Sequence, residues 1–243
     1  MIRVVGAGRG APLVLMTVAL SLWSASAAPV SLARQEEAPA PVVVGAGPVR
    51  EPALALVGRT VYEDDSATMF GYLTATIGLD PALLFTASPP AAETARLTYV
   101  AEIALAPTAN RGDVSTFDGE GVLRIYVDEE AGAAWDDPDS FAAGEPVAEF
   151  TMTLRDTLQR QGPGVGVVVG DERLEQVTAG EFTLAGEPYR FGQTGIEARL
   201  RTVGALASGD AESAGPAVTV ALTGAVSVTA RDSIPVVMGD PTG

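Results

Sequence analysis

Residues 217–230, AVTVALTGAVSVTA, put Val218, Val220, Leu222, Val226 and Val228 on one parity and Thr219, Thr223, Ser227 and Thr229 on the other. Side chains of a β-strand point alternately to its two faces, so this stretch predicts a long strand with one apolar and one wet face. Gly224 falls midway on the apolar parity, where a bend or bulge is expected. A strand this long needs curvature, which a barrel or a strongly coiled sandwich provides.

The same alternation recurs upstream. In residues 95–105, Leu97, Tyr99, Ile103 and Leu105 share a side. In residues 147–154, Phe150, Met152 and Leu154 oppose Glu149, Thr151 and Thr153. Shorter candidates lie at 54–61, 68–77, 122–127, 165–169, 182–184, 189–191 and 196–203, nearly all separated by turn residues. Helix signals are few. Asp80-Pro81 and Asp137-Pro138 each read as an N-cap followed by a proline at the first helical position. The pattern therefore predicts an all-β chain, a single antiparallel β-barrel or β-sandwich domain of about ten strands with one or two short helical turns.

The expected organisation is a signal peptide at 1–27, an Ala/Pro/Gly-rich linker at 28–50, the β domain at 51–232 and a tail at 233–243. Arg3 and Arg9 precede an apolar run from Ala11 to Trp23, and Ala25-Ser26-Ala27 supplies small residues for cleavage. That apolar run is shorter than the roughly 20 residues of a bilayer-spanning helix. The protein is thus expected to be secreted, or periplasmic or extracellular, with no stable membrane anchor. A transmembrane β-barrel would carry aromatic girdles, whereas aromatic residues are 6% of this chain. The segment 208–215 (SGDAESAG) reads as a flexible loop.

The chain has no histidine, no cysteine and no lysine. Those absences exclude Ser-His-Asp and Cys-His catalysis, histidine- or thiolate-held metals, and a pyridoxal-binding lysine. Without disulfides, a packed core must hold the domain together. The formal net charge is −16, and no basic stripe interrupts it, so nucleic-acid binding is excluded. Carboxylate, hydroxyl, tyrosine and arginine chemistry remains.

Four constellations stand out among those residue types. Asp128, Glu130, Asp136, Asp137 and Asp139 form the densest acidic run, surrounding Trp135. No cofactor is expected, because this run reads as a solvated loop in which Asp137 caps a turn; the alternative is Ca²⁺, a hard cation that takes six to eight oxygens from such loops. Tyr189, Arg199 and Arg201 form a second group, with Arg199 and Arg201 on one strand face. At a barrel mouth they could hold a carboxylate or phosphate; on a solvated wall they would pair with the acidic excess. Arg111-Gly112-Asp113 spells a recognition tripeptide that reads equally well as a hairpin turn. Paired carboxylates could also hydrolyse a glycosidic bond, although no particular pair is distinguished.

The inventory predicts an exported, non-catalytic β-domain that binds a small ligand or serves as a structural or interaction module. Its partner would be a small apolar or anionic ligand, or another protein docked on a sheet edge. The alternative is a barrel enzyme, of isomerase, cyclase or glycoside hydrolase type, working with carboxylate, tyrosine and arginine. An enclosed apolar cavity would point to a ligand binder, and a filled core to a structural module. A buried Glu, Asp or Tyr converging with an arginine would point to an enzyme.

Overall fold

The computed structural model describes residues 40–206 and 218–231. The expected signal peptide, the linker up to residue 39, the 208–215 loop and the tail at 233–243 lie outside the described residues.

Twelve strands are described: β1 (Val42–Val44), β2 (Pro52–Tyr62), β3 (Ser66–Thr76), β4 (Leu97–Leu105), β5 (Ala109–Arg111), β6 (Val114–Val127), β7 (Glu145–Gly162), β8 (Val165–Ala179), β9 (Glu181–Leu184), β10 (Glu187–Phe191), β11 (Ile196–Leu206) and β12 (Val218–Arg231). Eight of them form a closed antiparallel barrel in the order β4-β3-β2-β12-β11-β8-β7-β6, and β6 pairs back onto β4 to shut it. Of the two architectures that alternation allows, the molecule is therefore the barrel. The short β5 adds to the far end of β6.

A small sheet, β1-β10-β9, lies at one end. Its hairpin turns at Ala185-Gly186, both with positive φ (52° and 83°), the geometry whose twist matches that of paired strands. Residues 42–44 belong to the stretch expected to be linker, yet they pair in parallel with β10, and Val44 is fully buried. The Gly45 amide donates to the Ile77 carbonyl (3.0 Å) and Gln176 Nε2 donates to the Phe191 carbonyl (2.8 Å), tying this sheet to the ends of β3 and β8. Val44, Phe182, Leu184, Tyr189 and Phe191 then join the barrel core.

The alternation seen in the sequence decides what points inward. Leu54 and Leu56 of β2, Leu97 and Tyr99 of β4, Phe150, Met152 and Leu154 of β7, and Val220, Val226 and Val228 of β12 are all buried. These side chains fill the barrel. The space left among Leu54, Leu56, Leu73, Tyr99, Leu123, Ile125, Phe150, Leu174 and Val226 is about 10 Å³. That is at or below what one water molecule needs.

A second, smaller apolar cluster sits on the outside. The connections at 77–96 and 128–144 fold back over β2–β4, where Phe70, Tyr72, Phe85, Trp135 and Phe141 pack together and the Arg59 guanidinium lies 4.8 Å from the Trp135 ring centre. Both predicted helical turns are present as 3₁₀ turns, Pro81–Leu83 and Pro138–Ala142. Asp80 caps the first, accepting from the Ala82 amide at 2.9 Å. Asp137 does not cap the second with its side chain. Its backbone carbonyl accepts from Ser140 Oγ instead.

The expectation of a bulge at Gly224 is corrected. The register of β12 shifts against β2 between Val226 and Ser227. At Gly224 the ladder runs straight through, because the missing side chain makes room for Leu200 and Thr202 of β11 rather than for a bend.

Candidate functional site

Near the end of the barrel away from the small sheet, the inward parity of four strands delivers polar groups. β2 supplies Tyr62, β7 Asp156, β8 Glu172 and β11 Thr202, and all four are at most 2% exposed. Their convergence depends on Gly170. It pairs with Asp156 on one side and with Thr202 on the other. A Cβ there would collide with Thr202 Oγ1, Glu172 Oε1 and Asp156 Oδ1. The glycine is the floor on which three oxygens meet. Tyr62 stacks on Phe117, with ring centres 4.5 Å apart, and the two rings cover the cluster.

Hydrogen-bond accounting in this layer does not close without an additional proton. Tyr62 Oη donates to Asp156 Oδ2, and Thr202 Oγ1 donates to Glu172 Oε1 at 3.0 Å. Asp156 Oδ1 and Glu172 Oε2 are buried and receive no donor from any other group. The two carboxyl groups lie within hydrogen-bonding reach of each other. Two ionised carboxylates cannot bond; one protonated and one ionised can.

Burial pushes the Glu172 carboxyl up to about 9, with the Asp156 charge adding to the shift. Burial pushes Asp156 up to about 6, while bonds from Tyr62 and Glu172 pull it back down. Glu172 therefore carries the proton near neutral pH and donates it to Asp156. Burial also raises Tyr62 and Tyr99, so both phenols stay neutral. Buried tyrosine and carboxyl groups thus converge as an enzyme would require, but the arginine that the sequence reading coupled to them is absent from the interactions on this pair.

The residues singled out from sequence lie elsewhere. Tyr189 is buried in the small sheet, stacked on Phe182 with ring centres 5.6 Å apart. Arg199 and Arg201 do share a face of β11, but it is the outer wall of the barrel, since Ala198 and Leu200 take the inward parity. The structure does not bring Tyr189 and this pair to one pocket. Arg199 makes a two-pronged bond to Asp171 on β8, and the guanidinium holds that carboxyl below the usual range. Both side chains of the pair are about 40% exposed. Arg199→Ala should accordingly shift the denaturant midpoint only slightly, and the difference should shrink as salt is raised.

Asp128, Glu130, Asp136, Asp137 and Asp139 are strung along the connection after β6, and the last four are exposed. Asp128 Oδ1 accepts from the Glu130 amide at 3.0 Å. No group of three acidic side chains able to hold a metal ion occurs among the described residues. Trp135, inside this run, belongs to the outer aromatic cluster. Arg111-Gly112-Asp113 forms the β5–β6 hairpin, with Gly112 at φ +62°.

Asp156 and Glu172 were missed because the strands carrying them were read too short. The 147–154 segment continues to Gly162, and the 165–169 segment continues to Ala179. Extending the parity of Phe150, Met152 and Leu154 by one step puts Asp156 inside. Glu172 falls likewise on the parity of Val168 and Leu174.

No family model, no curated protein and no solved structure matches the chain. Among the described residues, no helix is long and apolar enough to cross a membrane.

Proposed function

We propose that the protein is an exported, non-catalytic module that works by contact through its outer wall rather than by holding a ligand inside. The observation that carries this reading is the filled interior, with about 10 Å³ left among its apolar side chains. The outer wall supplies a surface for contact. Val165, Val169 and Val203 are each more than half exposed, and Ala205 and Ala221 continue their band across β11 and β12. Val203 faces Val169 on one side and Thr223 on the other, and Ala205 faces Val167 and Ala221. A band of this kind in an acidic protein supports an interaction surface.

The enzyme alternative draws support from the meeting of Tyr62, Asp156 and Glu172. No arginine is among the groups that act on the two carboxyls, so contact through the wall is favoured.

Titration with a small fatty acid and with an environment-sensitive apolar dye tests the reading. The fatty acid should leave the thermal midpoint unchanged. The dye should bind the wild type and lose that binding in the Val169→Glu, Val203→Glu double variant. A saturable rise in midpoint with stoichiometric fatty acid, unaffected by those substitutions, would replace the reading with an interior ligand site.

A further inference from the structure

The wall beside the acid pair has a defect. The β7–β8 ladder keeps one register from Met152–Leu174 and Thr153–Arg173 to Asp156–Gly170, yet it skips Leu154–Glu172 and Arg155–Asp171. On the other side of β8 the ladder is intact, with Glu172 paired to Leu200 and Asp171 to Arg201. The seam between β7 and β8 is thus loosened at the residue whose side chain shares the buried proton.

We propose that this gap is a proton-controlled gate in the barrel wall: closed while Asp156 and Glu172 share one proton, and opened to water when that proton leaves. The groups that face the pair define what can answer its charge. β2 presents Tyr62 and Thr60, β4 Tyr99, β6 Phe117, β8 Gly170 and β11 Thr202; none is a cation. Tyr99 Oη is itself buried and unpartnered. Loss of the shared proton leaves two like charges facing each other across the glycine floor, with hydroxyl donors for only two of their four oxygens. A buried charge without a counterion is relieved by hydration, and the nearest break in the backbone ladder is the Leu154–Glu172 gap. The filled apolar layer on the other side offers water no comparable route. The gate does not depend on the contact reading above.

Native-state amide hydrogen exchange across a pH series tests this. The base-catalysed chemical rate is divided out, and the amides of residues 154–157 and 170–173 are compared with Met69 and Ala101 on the opposite wall. Once the shared proton begins to leave, opening at the gap should rise about ten-fold per pH unit, as a single-proton equilibrium requires, while Met69 and Ala101 hold steady. Glu172→Gln keeps a permanent N–H donor toward Asp156, so its gap should be insensitive to pH. Asp156→Asn removes the second charge and should behave the same way, which keeps the test available if one variant folds poorly. Equal pH dependence in wild type and both variants would overturn the gate. So would a rise of equal size at the gap and at Met69 and Ala101.

Discussion

Gly71→Ala is expected to destabilise the barrel by about 3 kcal/mol or more, which lowers the thermal midpoint of a domain this size by roughly 6–12 °C. Gly71 pairs directly with Gly58 of β2 on one side and with Tyr99 of β4 on the other. A Cβ at 71 would overlap the Val57 carbonyl oxygen, lie 2.6 Å from Gly58 Cα and sit 2.8 Å from the Tyr99 hydroxyl. Two of those three atoms are backbone, so no rotamer change relieves the clash. The strands must separate at the point where the Tyr99 ring fills the barrel. Gly162→Ala is the matched control: nothing lies within 4 Å of its added methyl group, and its effect should stay within about 0.5 kcal/mol. Thermal melts of the two variants by circular dichroism separate them. Similar midpoints would mean that the β2–β3 approach is slack.

The second large effect is on stability as a function of pH. Glu172 and Asp156 bind their protons more tightly folded than unfolded, with folded values of about 9 and about 6. Their stabilising contribution is therefore complete below the ordinary carboxylate range. It is lost as pH rises, first through about 6 and then through about 9. From the ordinary carboxylate range up to pH 9 the full loss is on the order of 9 kcal/mol, because each unit of raised affinity is worth about 1.4 kcal/mol. Asp171, held low by Arg199, has the opposite sign, but solvent screens this half-exposed pair and its effect is small. Self-repulsion in a chain of net charge −16 also weakens the fold as pH rises, and Glu172→Gln separates the two causes. Denaturant titrations from pH 4 to 9 should show a steep fall in the wild type and a shallow one in Glu172→Gln. Parallel curves would mean that the buried proton contributes nothing.

Period-two alternation made the strands legible, and each of the ten segments read from it is a strand. The eight-strand closure was not legible. Pairing of β2 with β12, and of β4 with β6, depends on contacts far apart in sequence, whereas alternation reports only which face a residue takes. Charge hid the site. Residues 170–179, GDERLEQVTA, fall outside the strand predicted at 165–169, because Asp171, Arg173 and Glu175 cover the outer wall while Glu172 and Gln176 occupy inward positions where apolar residues would extend the pattern. Arg199 and Arg201 were placed correctly on one face. The sequence held no signal that this face looks outward, since a barrel wall and a barrel mouth share the same alternation.

Closure between β2 and β12 has a consequence for how the chain reaches its final form. The first and last strands of the barrel are neighbours, so Val57 must find Thr223 across almost the entire domain. Until the last fourteen residues of β12 are in place, β2 and β11 are bare margins of an open sheet, available to any other extended chain. Assembly therefore ends on its most distant pairing, and that late step is when the molecule is most exposed to joining the wrong partner.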